Sequence, residues 1–223
     1  MLRILTLGLI LGTASLAPGA MAADFGPAGP VPFPELGFLH LGFSSAKQAD
    51  DGALTVDGVP FPGAAYQTER LTSPSFEAGF YLRGGFAVAV SGTAPITTTN
   101  IAAGTLTGYG DLGDETDGYY SLTGQYHLPV TSRIVPYIGA GYGYMQVFGT
   151  RDGVISGFKA NSAGGPVLQA GVDVALTDHV GVFGDVKRYF ISTTASGNLG
   201  PDVVKAQARV DPWVISSGVS LMF

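Results

Sequence analysis

The chain of 223 residues contains no cysteine, and only 13% of its residues are charged. The absence of cysteine excludes disulfide bonds, thiolate nucleophiles and cysteine-ligated metal sites. A soluble domain usually carries about 25% charged residues, so the composition argues against an ordinary water-soluble domain. Beyond the N-terminal region no apolar run reaches about 18 residues, which argues equally against a transmembrane helix.

Positive charge and histidine are also scarce. Basic residues number 11 against 17 acidic residues, and the formal net charge at pH 7 is −6. Nucleic-acid binding needs a basic surface, so nucleic acid is not an expected partner. The histidines are His40, His127 and His179, and none stands in a recognisable serine–histidine dyad. We therefore expect no enzymatic activity and no cofactor.

The first 22 residues carry the pattern of a secretory signal peptide. Arg3 precedes an apolar run, and the small-residue motif Ala20-Met21-Ala22 follows it. The run is too short to cross a bilayer as a helix, which needs about 20 residues. We expect residues 1–22 to be removed on export, residues 23–35 to form a Pro-rich periplasmic lead-in, and residues 36–223 to form one barrel domain.

Glycine is abundant, with 34 residues, and apolar and polar residues alternate in short segments. The last segment shows this best, because Phe223, Leu221, Val219, Ile215 and Trp213 share one face. Alternation over about ten residues, with aromatic ends, is typical of a strand that has lipid on one side and a polar lumen on the other. Eight segments of this kind lie near residues 36–45, 75–83, 85–93, 119–128, 135–148, 166–176, 180–191 and 212–223.

Short and long connections alternate between these segments. The long connections are residues 46–73, 92–118, 149–164 and 192–209. Outer-membrane barrels of bacteria have short periplasmic turns and long extracellular loops. The sequence therefore predicts an all-β fold, an eight-stranded antiparallel transmembrane β-barrel with short periplasmic turns and long extracellular loops, in the outer membrane of a Gram-negative bacterium.

The second long connection contains an acidic segment, Asp111–Gly118, with four acidic residues. Carboxylates at this density suit calcium, but the segment lacks the spacing of an EF-hand loop. A solvated acidic loop is the simpler interpretation. We predict the solvated loop, and no metal site.

Four motifs in the C-terminal half resemble strands of the OmpW family of outer-membrane proteins. In chain order they are Pro136–Tyr142, Gln169–Asp173, Asp185–Phe190 and Asp211–Val214, the last followed by Gly218-Val219 and the terminal Phe223. The resemblance implies an eight-stranded barrel linked to the passage of small hydrophobic molecules, alkanes among them, although other members are known as receptors or antigens. Arg188 interrupts the family's pattern and leaves the register at the top of its strand open.

Strand direction and alternation assign the inward-facing residues to two levels. The upper level is predicted to be an apolar funnel formed by Met145, Val147, Val167, Tyr189, Ile191, Val210 and Val214. The lower level is predicted to be a polar plug formed by Arg83, Gln125, His127, Asp173 and Asp185. An eight-stranded barrel is just wide enough for its own side chains. Because buried charges need partners, Arg83 is expected to neutralise the two aspartates.

These two levels favour a channel for small hydrophobic solutes. A solute would enter the funnel from outside and leave sideways into the bilayer, because the plug blocks the direct route. Pro166 and Pro212 lack an amide donor and are candidate weak points of the wall, with ordinary strand ends as the alternative.

The alternative function is a structural or adhesive surface barrel without transport, whose long loops bind a host surface, phage or lipopolysaccharide. A soluble periplasmic β-protein is a third alternative. For the barrel we expect the partners to be outer-membrane lipid and lipopolysaccharide, the hydrophobic solutes, and the barrel-assembly machinery during biogenesis.

Overall fold

The computed structural model describes residues 36–48, 51–68, 71–128 and 133–223, so the predicted signal peptide and lead-in lie outside the described residues. The described ranges contain fifteen strands and a short 3₁₀ turn, Arg83–Gly85. In chain order the strands are β1 (Gly37–Lys47), β2 (Asp51–Val56), β3 (Val59–Pro60), β4 (Ala64–Thr68), β5 (Leu71–Tyr81), β6 (Phe86–Thr93), β7 (Ile96–Gly104), β8 (Asp111–His127), β9 (Ile134–Asp152), β10 (Ser156–Ala160), β11 (Ala163–Ala175), β12 (Val180–Tyr189), β13 (Ser192–Leu199), β14 (Asp202–Arg209) and β15 (Trp213–Met222). No helix within these ranges is long and apolar enough to cross a membrane.

Eight of the strands close into an antiparallel barrel. Their order around the barrel is β1, β5, β6, β8, β9, β11, β12 and β15. Closure comes from the pairing of β15 with β1, which runs from Phe38 opposite Met222 to Lys47 opposite Trp213. Each of the eight alternating segments of the sequence forms one barrel strand, so the predicted fold is confirmed.

The outer face of the barrel is apolar and open to its surroundings. On β15, Ile215 is 49% exposed on the outer face, whereas the next inward residue, Val214, is 2% exposed. The same alternation leaves a band of exposed apolar side chains around the barrel: Leu41, Phe43, Phe76, Phe80, Val88, Val90, Leu122, Ile138, Leu168, Val182 and Val219. A water-soluble protein does not leave so large an apolar surface uncovered, and a bilayer covers it.

The outer face of β8 marks the upper edge of this band. Leu122 is exposed on the apolar side, whereas further up Thr116 is hydrogen-bonded to Thr97 and Asp114 pairs with Arg151. The segment predicted as a solvated acidic loop is therefore the first half of a strand, and that prediction was wrong. Strand alternation places Asp114 on the outer face with Arg151, whereas Glu115 and Asp117 are buried on the inner face.

Above the membrane the long connections continue as β-structure. On one side β4 and β7 extend the wall formed by β8 and β9. On the other side β10, β13, β14, β2 and β3 form a second, five-stranded sheet. The sequence analysis treated these segments as loops. A signal was present in β14, where Val204 and Ala208 alternate with Lys205 and Arg209.

Arg188 does not shift the strand register. It stands opposite Leu168 of β11 and Trp213 of β15, in step with the pairs on either side. Its guanidinium carbon lies 5.1 Å from the centre of the Trp213 ring. The inserted arginine therefore points outward and stacks on an interfacial aromatic side chain.

Inward-facing glycines make room for large rings in the lumen. A Cβ atom on Gly143 would lie 2.3 Å from the ring of Tyr189, and one on Gly171 would lie 2.4 Å from the ring of Tyr137. Real Cβ atoms do not approach other atoms this closely, so each ring fits in the lumen only because the glycine beside it has no side chain.

We expect Gly143→Ala to lower the stability of the barrel by about 1–3 kcal/mol, because the added methyl group must displace Tyr189 from a packed lumen. Urea unfolding in lipid vesicles, followed by the difference in gel mobility between folded and unfolded barrel, measures the effect. Gly184→Ala is the matched control, since a Cβ there meets no atom within 4 Å. Equal stabilities of the two variants would contradict the tight fit at Tyr189.

Candidate functional site

An apolar cavity of about 260 Å³ lies between the two extracellular sheets, which we call the extracellular cavity. Its apolar lining includes Leu54, Val56, Leu112, Phe158 and Val204. Every one of these residues comes from a segment that the sequence analysis assigned to a loop, which is why the cavity was not predicted.

A packed apolar layer forms the floor of this cavity. It consists of Tyr119, Met145, Val167, Tyr189, Ile191, Ala208, Val210 and Val214, with Val147 packed against it. Met145 and Ile191 have no exposed surface, and Ala208 and Val210 also line the cavity above. The structure thus brings together the seven residues of the predicted funnel. They fill the lumen rather than line an open passage, because a barrel of eight strands leaves little space inside.

A buried polar layer lies below the apolar layer. Lys187 Nζ is 2.7 Å from Glu77 Oε2 and 2.7 Å from Asp185 Oδ1. Gln169 Nε2 donates to the same two carboxylates, at 2.9 Å to Glu77 Oε2 and 2.8 Å to Asp185 Oδ2. His40 Nε2 lies 2.9 Å from Asp173 Oδ1. One lysine therefore joins two carboxylates at the centre of the lumen.

The predicted plug residues divide between this layer and the surface. Gln125, His127, Asp173 and Asp185 are buried in the lumen. Arg83 is exposed in the periplasmic turn, so its assignment to the plug was wrong. The chain leaves the sheet at Tyr81 and turns before the Arg83 side chain can reach inward.

Four residues of the polar layer were not among the predicted plug residues: His40, Glu77, Gln169 and Lys187. Strand alternation places each of them on the inward face, so the signal was present in the sequence. Lys187 stands two residues after Asp185 on the same strand face, and it takes the role that the sequence analysis gave to Arg83.

An aromatic cluster closes the periplasmic end of the lumen. The ring of His127 lies 4.9 Å from that of Tyr137, 5.1 Å from Tyr81 and 5.6 Å from Phe38. The straight route through the barrel is therefore filled by side chains at the apolar layer, the polar layer and this cluster.

The wall of the barrel is closed at the two prolines that the sequence analysis proposed as weak points. The Pro166 carbonyl accepts a hydrogen bond from Phe190 N at 2.9 Å, and the Pro212 carbonyl accepts one from Tyr189 N at 3.1 Å. Both prolines therefore still take part in the backbone hydrogen bonding around the end of β12.

The pairing between β5 and β6 ends at the upper edge of the wall. The last pair of its ladder is Ser75–Thr93. Just beyond it, Ala94 N donates to the Pro74 carbonyl at 2.8 Å and Ser73 Oγ donates to the Ala94 carbonyl at 2.6 Å. We call this upper end, Ser73–Ser75 with Thr93–Ala94, the β5–β6 seam.

A small cavity of about 20 Å³ lies at the β5–β6 seam, and Ser73, Thr93 and Ile96 contribute to its walls. Gln48 lines both this cavity and the extracellular cavity. Its Nε2 atom donates to Tyr119 Oη at 2.9 Å. A hydrogen-bonded pair of side chains thus separates the extracellular cavity from the β5–β6 seam.

Two buried carboxylates accompany this pair above the membrane band. Burial raises the pKa of Glu115 to about 7, and the nearby charge of Asp117 adds to the shift. Burial also raises the pKa of Asp117 to about 6. Their neutral forms are favoured in the fold, so the stability that they contribute is complete at low pH and is lost as the pH rises through these values.

Comparison with known protein families identifies the family to which this chain belongs. The family model described as OmpW family matches residues 45–223. The chain belongs to the OmpW family. The match covers all four motifs on which the sequence resemblance depended, and the predicted family is therefore confirmed.

Relatives of this OmpW-family chain include outer-membrane proteins. It is 32% identical over 188 residues to the dibenzothiophene metabolism operon protein PahQ of Pseudomonas aeruginosa, covering 84% of this chain and 86% of PahQ. It is 27% identical over 172 residues to the outer membrane protein AlkL of Ectopseudomonas oleovorans, covering 77% of this chain and 75% of AlkL.

Solved structures show the same OmpW-family barrel. The crystal structure of OprG from Pseudomonas aeruginosa has a TM-score of 0.77 at 24% identity, covering 85% of this chain and 97% of OprG. The structure of outer membrane protein W from E. coli has a TM-score of 0.55 at 19% identity, covering 85% of this chain and 98% of that one. The protein is an outer-membrane β-barrel, and its family and structural neighbours are barrel proteins rather than enzymes.

We expect Lys187→Met to destabilise the barrel by about 3–5 kcal/mol, because it leaves Glu77 and Asp185 buried without their shared cation. Arg83→Ala is the control and should change stability by less than about 0.5 kcal/mol, since that side chain is exposed. Unfolding in urea, in lipid vesicles, measures both. A larger loss for Arg83→Ala than for Lys187→Met would show that the buried cation is wrongly assigned.

Proposed function

We propose that this protein is a channel that carries small hydrophobic solutes across the outer membrane. The extracellular cavity supports the proposal most directly. Its volume of about 260 Å³ lies just below the range of small-molecule pockets, about 300–1,000 Å³, which suits a small solute. Phe61 and Tyr109 contribute to its lining and are exposed, so a solute can reach the cavity from the medium.

The names of relatives point to the same class of solute. PahQ and DoxH are both described as dibenzothiophene metabolism operon proteins. Dibenzothiophene is a flat, aromatic and apolar molecule. Each of the two covers 84% of this chain, which supports an apolar solute of similar size for this protein.

The proposed route leaves the barrel sideways. A hydrophobic solute cannot cross the polar layer around Lys187 without disrupting its ion pairs, because a buried charge that loses its partner is strongly destabilising. The β5–β6 seam offers an exit at the level of Tyr119, at the upper edge of the apolar band. The small cavity beside this seam makes it a candidate, and a solute that leaves there has to part the hydrogen bond from Ala94 N to the Pro74 carbonyl.

We expect Val204→Asp to reduce uptake of dibenzothiophene about tenfold or more in a deletion strain that carries the variant. Val204 is 4% exposed and lines the extracellular cavity, and a carboxylate there makes the cavity unfavourable for an apolar solute. Cell-associated fluorescence of the solute measures uptake.

Val203→Asp is the matched control for this experiment, because the neighbouring residue on β14 is 45% exposed. Heat-dependent gel migration checks that both variants fold. If the wild type, Val204→Asp and the deletion strain took up the solute equally, transport would be contradicted. Loss of binding to host cells or phage in that strain would then favour the adhesive barrel.

The route through the seam predicts a second effect on uptake. A disulfide between Ser75→Cys and Thr93→Cys, which replace a directly opposed pair, should lower uptake severalfold because it holds β5 and β6 together. Reduction with dithiothreitol should restore uptake. The chain has no other cysteine, so this disulfide forms without competing thiols.

The disulfide control is Ala170→Cys with Val186→Cys, on the opposite seam between β11 and β12. These two residues are directly opposed and face the lipid, so the control bridge joins two strands without entering the lumen or the cavity at the β5–β6 seam. An equal loss of uptake with both bridges would place the exit elsewhere or show that the route does not leave through the wall.

A further inference from the structure

The neutral polar groups buried around the extracellular cavity already donate their hydrogen bonds within the protein. The neutral side chains concerned are Gln48, Asn100 and Thr193. Gln48 Nε2 donates to Tyr119 Oη at 2.9 Å, Asn100 Nδ2 donates to the Gly113 carbonyl at 3.2 Å, and Thr193 donates to a backbone carbonyl. These three side chains therefore favour a ligand that does not need a donor from the protein.

Glu115 offers a ligand a buried hydrogen-bond acceptor. Its side chain lines the extracellular cavity, and the residue is 7% exposed. Among the ion pairs of the described residues none joins a cation to Glu115 or Asp117, whereas Asp114, one residue away, pairs with Arg151 on the outer face. Burial raises the pKa of Glu115, and the charge of Asp117 raises it further.

Among the described residues that line the cavity there is no lysine, arginine or histidine, and the acidic members are Glu115 and Asp202. On β14 the cavity-facing residues are Val204, Ala206 and Ala208. Lys205 and Arg209 alternate with them and are exposed. An anionic ligand would find no counter-charge here, and it would face a carboxylate.

We infer that the extracellular cavity takes amphiphiles that have an apolar body and one hydrogen-bond-donating end, a hydroxyl or an ammonium group, and that Glu115 receives this end. The inference rests on the proposed function, because it assumes that the cavity binds the solute. It narrows the solute class from hydrophobic molecules in general to apolar alcohols, phenols and amines. Carboxylates of the same chain length are rejected.

Three probes with the same eight-carbon body test the inference: octylamine, 1-octanol and octanoate. Calorimetry at pH 8 measures the binding of each probe to the full barrel in phosphatidylcholine nanodiscs. The same titration into empty nanodiscs gives the partition into lipid, which is subtracted. For the wild type we expect octylamine to bind at least about tenfold more tightly than octanoate, which is the size of one charge-assisted hydrogen bond.

Glu115→Gln is the decisive variant, because it keeps the shape and one acceptor oxygen but removes the charge. In this variant the affinity for octylamine should exceed that for octanoate by about threefold or less. Its affinity for 1-octanol should stay within about threefold of the wild-type affinity. Asp178→Asn is the control, because it removes the same charge at a residue that is exposed in the periplasmic turn. It should leave the ratio of the affinities for octylamine and octanoate at the wild-type value.

The outcomes separate this inference from the proposed function. If all three probes bind equally, or if Glu115→Gln keeps the wild-type ratio, the inference fails while the cavity still binds hydrophobic solutes. If none of the probes binds above the empty nanodiscs, both the inference and the proposed function fail. Misfolding is excluded as the cause when Glu115→Gln retains the heat-dependent gel migration of the wild type.

Discussion

Closure of an eight-stranded sheet is the constraint on which the rest of this structure depends. In a bilayer the backbone groups of a sheet must be paired within the protein, and the pairing of β15 with β1 removes the last open edges. The same closure fixes the width of the lumen, which leaves space for little more than side chains. Packed layers rather than a water-filled pore follow from this, as does the need for glycine where a Tyr189 or Tyr137 ring lies.

A closed lumen makes its charged residues interdependent. Lys187 contacts both Glu77 and Asp185, and Gln169 donates to the same two carboxylates. Each group is stabilised only while the others stay in place, because removal of one leaves another charge buried without a partner. Such a layer holds the strands in register and opposes the passage of an apolar molecule, so any solute route has to leave the lumen above it.

The features to which we attribute solute binding lie outside the membrane band. The two extracellular sheets enclose an apolar cavity, and its floor is the packed layer around Met145 and Ile191. Gln48 and Tyr119 bring polar atoms to the border between this floor and the β5–β6 seam, and Glu115 lines the cavity itself. In the proposed function the barrel is a rigid support, and the residues that distinguish one solute from another come from connections between its strands.

The amino-acid sequence by itself determined the eight barrel strands, their lipid-facing sides and the family, because period-two alternation and local motifs are properties of neighbouring residues. Only the tertiary structure decided that Lys187 rather than Arg83 neutralises the buried carboxylates, since alternation gives the face of a residue but not where a strand ends. It also decided that β2 pairs with β14, some 150 residues away along the chain, and this pairing creates the cavity. Contacts between distant loops depend on how the barrel brings the loops together, and no local pattern in the sequence records that.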